Sequence, residues 1–213
     1  MAIFGGTFDP VHNGHLEAAR KICELFALDE LIFVPACVPP HKRNAGITSA
    51  FHRFAMLALA TKDEPQWRVS TIELDEPERP YAVETVERIK AKVGAGCRLF
   101  FLMGADSWSE IKTWRDWQRL LEICDQIVVT RPGYDLKAES RPVFDARGLN
   151  AEEIKIALHE TGGPRAFLTD AVMVDIAATE IRAAARSGSR ESLKEMVPAA
   201  VAGYIEKYCL YRN

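Results

Sequence analysis

MAIFGGTFDPVHNGHLEAAR, residues 1–20, reads as three joined pieces. A short apolar run ends in Gly5 and Gly6, a polar turn follows, and a helical pattern starts near Gly14 and runs to about Ala27. His12 and His15 straddle Asn13 and Gly14 at the mouth of that helix. Outward from this stretch the alternation continues. LIFVP precedes a helix from about Ser49 to Thr61, and WRVSTIEL precedes AVETVERIKAKV. RLFFLMG precedes a helical region from Ser107 to Glu122; QIVVT, AFLT and AVMVDI then lead to two closing helices. Apolar runs between amphipathic helices predict an α/β fold, an open doubly wound parallel sheet of Rossmann-like type. Ligands of such sheets lie at the carboxyl ends of the strands. The residues just after each run are therefore the candidates: GGTFDPVHNGH, PACVPPHK, GADSW and RPG.

A chain of 213 residues with 48% apolar and 27% charged residues is long enough for one sizeable core. We expect a single domain over 1–213 with a helical part from about residue 176. The segment from Leu136 to Arg165 is the least patterned and is expected to be the most mobile. No run approaches the roughly eighteen apolar residues of a membrane span, and Ile3 and Phe4 pass straight into glycines as a signal peptide would not. The expectation is a cytoplasmic protein with no membrane association. Five scattered cysteines without a CxxC suggest reduced thiols rather than disulfides or a zinc site. A net charge of -3, with no long basic block, argues against nucleic acid as a partner. Any anion site must be built locally.

Asn13 is a candidate N-cap that leaves Gly14 and His15 in the first turn, where unpaired amides and the helix dipole attract anions. A protonated histidine there is disfavoured by roughly 0.3 to 1 kcal/mol unless an anion sits beside it. Phosphate would remove the conflict. The alternatives are that His12 caps a turn while His15 packs on the sheet, or, more weakly, a metal pair, for which no third ligand lies at suitable spacing. VDIAATEIRAAARSG repeats the arrangement, with Thr179 as candidate N-cap and Arg182 in the first turn, offering a planar fork to two oxygens. In GADSWSEIKTWRDW, Ser107 and Glu110 match a capping box, which leaves Asp106 just outside a helix and suited to a ribose diol. Trp114 and Trp117 would share one helical face, and one ring could stack on a heterocycle. PPHKR adds His41, Lys42 and Arg43 on a proline-stiffened turn. No GxxxxGK[ST], GxGxxG or GxSxG is present, which argues against P-loop ATPases, common dinucleotide-binding dehydrogenases and α/β-hydrolases.

These residues resemble the HxGH-containing nucleotidyltransferases, and most closely the bacterial nicotinate-nucleotide adenylyltransferases. GGTFDPVHNGHL is similar to the family's first motif, with HxGH as His12, Asn13, Gly14 and His15. The likeness continues in order through PPHK, RFAMLALA, ERPYAVETV, FFLMGADSW with Trp114, VVTRPGY, IAATEIR and MVPAAVAGYIEKYCLY. It covers nearly the whole chain.

The resemblance implies transfer of AMP from ATP to nicotinate mononucleotide, giving deamido-NAD and pyrophosphate in NAD biosynthesis. Magnesium would ride on the ATP phosphates, with no metal ligand from protein side chains. By the same resemblance His12, His15 and Arg182 would be catalytic. Gly5, Thr7, Phe8, Gly14, His15, Asp106, Thr179 and Arg182 would hold ATP. Gly6, His41, Lys42, Tyr81, Ala82, Trp114 and Arg131 would hold the mononucleotide, with Trp114 stacked on the pyridine ring. Two departures stand out. Ala177 replaces the first Ser of the family's ISSTxIR or ISATxIR motif, so weaker ATP binding is expected. Ala82 stands where Thr is common, which bears on discrimination between acid and amide. The alternatives are a related adenylyltransferase using nicotinamide mononucleotide or phosphopantetheine, or a non-catalytic nucleotide-binding module. A homo-oligomer is compatible with the sequence.

Overall fold

Strand β1 (Ala2–Gly6) ends on the paired glycines, and α1 (Asn13–Leu25) follows the turn. The computed structural model describes residues 1–37, 46–75, 81–94, 96–130, 143–159, 165–170 and 176–212. Within them lie β2 (Leu31–Pro35), α2 (Ala50–Thr61), β3 (Trp67–Val69), α3 (Ala82–Val93), β4 (Phe100–Gly104), α4 (Ala105–Ser109), α5 (Trp117–Ile123) and β5 (Asp125–Val129). Then come β6 (Val143–Asp145), α6 (Ala151–His159), β7 (Ala166–Thr169), α7 (Ala178–Ser187), α8 (Arg190–Met196) and α9 (Ala199–Lys207). The strands form a seven-stranded sheet in the order β3-β2-β1-β4-β5-β7-β6. The pairs β1–β4, β4–β5, β5–β7 and β6–β7 are parallel. The order reverses between β1 and β4, as the doubly wound expectation requires.

The chain divides into two compact units. The first comprises Met1–Gly5, Ala18–Ile32 and Pro80–Met173. Its strands β4, β5 and β7 are almost wholly buried, as parallel strands covered on both faces should be. Phe26 meets Phe100 and Phe167 edge-on at ring separations of 5.7 and 5.6 Å, and Phe144 meets Phe167 at 5.6 Å. At the amino end of β5 the buried carboxylate of Asp125 accepts from Arg98 Nε and the Arg165 amide at 2.7 Å each. The second unit comprises Gly6–Glu17, Phe33–Arg79 and Val174–Asn213. Phe33 lies at its centre, between Phe8 at 5.8 Å and Trp67 at 5.6 Å.

Several expected boundaries move. Of WRVSTIEL only Trp67–Val69 is strand; Ser70 N–H still donates to Phe33 O, but the Thr71 carbonyl then accepts from Leu74 and Asp75 and turns the chain. The closing region holds three helices rather than two, because Gly188 in the left-handed conformation (φ 73°) ends α7 and Pro198 separates α8 from α9. The segment expected to be least ordered contains β6 and α6. Asn150 Oδ1 accepts from the amides of Glu152 and Glu153, while Glu153 Oε2 accepts from Asn150 N–H, a reciprocal cap that starts the helix. Of AVMVDI, residues 171–175 lie outside the described residues.

Candidate active site

In the second unit the glycine turn brings the two histidines together. Their rings lie 3.6 Å apart between centroids at 34°, and His15 also meets Phe8 edge-on at 5.0 Å. Asn13 is not the cap. It is already helical, and its Nδ2 donates to Glu195 O at 2.9 Å. His12 takes the capping position instead: its carbonyl accepts from the amides of His15 and Leu16, and its own N–H donates to His15 Nδ1 at 3.3 Å. With Nδ1 accepting, the neutral ring of His15 carries its proton on Nε2. Burial first, and then the neighbouring His12, hold the His15 pKa well below its ordinary value. The His15 imidazole, at a positive helix end, therefore resists charging until an anion is beside it.

Gly5 and Gly6 are needed for space. A methyl group on Gly6 would lie 2.8 Å from the Phe8 ring, and one on Gly5 would lie 3.2 Å from Phe101. Phe8 itself is buried with a positive φ of 49°. Thr7 contributes its carbonyl to Arg53, and Gly14 is buried in the first turn of α1. Arg182 is brought to the same turn, since its Nη1 donates to Asp9 O at 2.8 Å. It does not sit in the first turn of its helix. The N-cap of α7 is Ala177, so Thr179 is an exposed first-turn residue and Arg182 comes one turn later.

The first unit carries the other candidates. Helix α4 begins at Ala105 after Gly104, so Asp106 lies inside its first turn and is exposed; the Ser107–Glu110 box does not start it. Trp114 and Trp117 share no helical face. Trp114 is extended backbone after a 3-10 turn (Ile111–Thr113), Asp116 is left-handed at φ 48°, and Trp117 opens α5. Trp114 meets Phe101 edge-on at 6.2 Å and 89°, and is half-buried. Tyr81 caps α3, with its N–H donating to Glu84 Oε2 at 2.9 Å, and Ala82 is the first helical residue. Arg115, which the sequence reading did not single out, stacks over the Tyr81 ring at 4.9 Å. His41, Lys42 and Arg131 lie outside the described residues.

Three further residues organise the second unit and were missed: Arg53, Asp9 and Tyr211. Asp9 accepts from Tyr211 Oη at 2.8 Å on Oδ1 and from the Thr48 amide at 3.3 Å on Oδ2. Burial, and then the Asp9 carboxylate, push the Tyr211 phenol far above its ordinary pKa, which keeps it a donor. Among the described residues no group of three or more His, Cys, Asp or Glu gathers to hold a metal ion. None of their helices is long and apolar enough to cross a membrane.

Residues 3–184 match the cytidylyltransferase-like family model, which sets this architecture and its HxGH turn in the nucleotidyltransferase class. The chain is 39% identical over 215 residues to a probable nicotinate-nucleotide adenylyltransferase of Pseudomonas paraeruginosa, covering 100% of this chain and 97% of that one. It is 36% identical over 213 residues to one of Citrifermentans bemidjiense, covering 99% and 97%. In structure it is similar to Plasmodium falciparum nicotinic acid mononucleotide adenylyltransferase complexed with NaAD, at a TM-score of 0.74 and 19% identity over 99% of this chain and 96% of that one. At that identity the likeness speaks to the fold. The chain belongs to the nicotinate-nucleotide adenylyltransferase family.

Proposed function

We propose that this protein transfers AMP from ATP to nicotinate mononucleotide, releasing pyrophosphate and forming deamido-NAD. The observation that carries the reading is the stacked His12–His15 pair at the start of α1, with Arg182 tied to the same turn through Asp9. The relatives' names support the substrate assignment. An oxygen of the mononucleotide phosphate attacks the α-phosphorus of ATP, a new P–O bond forms, and the bond to the bridging oxygen of the β-phosphate breaks. The attacking group is a phosphate with a second pKa near 6, so it is largely ionised at neutral pH and needs no general base. The protein's task is to align two anions and offset the charge that develops between them.

In this reading His15 donates from Nε2 and, with His12 and the α1 amides, stabilises the α-phosphate and the leaving pyrophosphate. Gly5, Thr7, Phe8 and Gly14 line the ATP floor. Arg182 and Thr179 bind the β- and γ-phosphates, and Asp106 takes ribose hydroxyls. Gly6, His41, Lys42 and Arg131 serve the mononucleotide, Trp114 stacks on its ring, and the carboxylate is held by amides at the Tyr81–Ala82 start of α3. Imidazole and guanidinium donors suit phosphate oxygens rather than a hard cation. Magnesium, where used, would be carried by the triphosphate and would supply charge neutralisation there, with the imidazoles, the guanidinium and the α1 amides as the protein's own share. We further propose that residues 1–213 act as one cytoplasmic nucleotidyltransferase domain with no nucleic-acid partner. The family match through residue 184 supports the single domain.

Pyrophosphate release with ATP and each acceptor tests the reading. Nicotinate mononucleotide should give a kcat/KM at least about tenfold above that of nicotinamide mononucleotide. No turnover with nicotinate mononucleotide, or a preference for the amide or for phosphopantetheine, overturns it.

A further inference from the structure

RFAMLALA is a motif that the proposed reaction leaves without a role. Its Arg53 sits on the inward stripe of α2 with Met56, Leu57 and Thr61, and is 1% exposed. The guanidinium reaches main-chain carbonyls on separate segments. Nε donates to Thr48 O at 2.9 Å, Nη1 to Thr7 O at 2.6 Å, and Nη2 to Ala36 O at 2.6 Å and Cys37 O at 3.1 Å. Filling a core does not require this. A buried ion is costly to desolvate, and an apolar residue of similar volume often packs as well or better. A planar fork with fixed donor directions, by contrast, sets the spacing of what it binds.

The bound segments are the turn after β1, the turn after β2 and the lead-in to α2. The first has other ties, because Asp9 takes Arg182, Tyr211 and the Thr48 amide. Among the described residues Ala36 and Cys37, besides accepting from Arg53, are tied by Ala36 N–H to Gly6 O at 2.9 Å and Cys37 N–H to Glu73 Oε2 at 3.4 Å. Cys37 is followed by the segment carrying PPHK.

We propose that Arg53 is a positioning residue of the transfer, fixing the turn after β1, under ATP, against the turn after β2, which leads to the cations for the mononucleotide phosphate. The assignment of substrates rests on the function proposed above. Because the turn after β1 is held independently, loss of the fork registers on the mononucleotide side.

Arg53→Lys keeps the charge and loses the fork. It should raise KM for nicotinate mononucleotide by about tenfold while KM for ATP changes less than about threefold. Hydrogen–deuterium exchange without substrate should quicken at the Ala36 and Cys37 amides and stay unchanged in α1. Unchanged KM values, with kcat falling only in proportion to the folded fraction, would make Arg53 a core residue and overturn the proposal. Should Arg53→Lys not fold, Glu73→Ala, which removes the acceptor of the Cys37 amide, must raise KM for the mononucleotide about threefold; no change overturns the proposal equally. If the protein ignores nicotinate mononucleotide and adenylylates another phosphate acceptor, the substrate reading fails. The KM split with that acceptor and the amide exchange then decide the role of Arg53.

Discussion

A methyl group on Gly6 has nowhere to go. It would meet the Phe8 ring at 2.8 Å, and that ring is buried between His15 and Phe33. Gly6→Ala should destabilise the protein by about 1 to 3 kcal/mol, as forced overpacking does elsewhere. Combining it with Phe8→Leu should recover part of the loss, measured as coupling in urea denaturation; strict additivity would contradict the clash. His15 carries a second consequence. Its folded pKa lies well below the ordinary 6.5, so between those values the unfolded chain binds a proton that the folded chain refuses. Stability should therefore fall as pH drops below 6.5, until the lowered folded value is passed. Urea midpoints across this window should show a steeper acid loss for the native protein than for His15→Asn. Identical slopes would mean that the ring is charged in the folded state.

Elements rather than single groups decide where Trp114 points. The 3-10 turn ends in extended backbone, and the indole leans edge-on against Phe101, which in turn lies where a side chain on Gly5 would be. A ring braced on one edge keeps a face for stacking. Trp114→Ala should weaken the mononucleotide by roughly 1 to 3 kcal/mol, with ATP nearly unaffected, if stacking is worth what base–aromatic stacking is worth elsewhere. Calorimetric titration of each substrate separates the cases, and equal losses would remove Trp114 from the mononucleotide side. Helix periodicity alone misplaced this residue, because a left-handed Asp116 breaks the register between the two tryptophans. It also misplaced the start of α4, since a Ser-x-x-Glu pattern gives no warning that Gly104 caps three residues earlier. The Asn150–Glu153 box was a signal that the sequence reading passed over, and it starts α6 inside the segment expected to be the most mobile.

Across the whole molecule, the strand and helix alternation was legible because parallel strands covered on both faces are written as unbroken apolar runs. The His12–His15 turn was legible because two imidazoles three residues apart follow a glycine pair at a helix mouth, where a cation would conflict with the dipole. Arg53 had a local signal, an arginine in step with Met56 and Leu57 on the apolar stripe of α2, but the carbonyls it serves are scattered in sequence. Asp9 had none, since its partners come from residues 48, 182 and 211. The hydrogen bond between Tyr211 and Asp9 joins residues 202 positions apart, so the turn after β1 gains this tie only when two distant stretches of chain have been brought together, a non-local closure of the kind that slows folding.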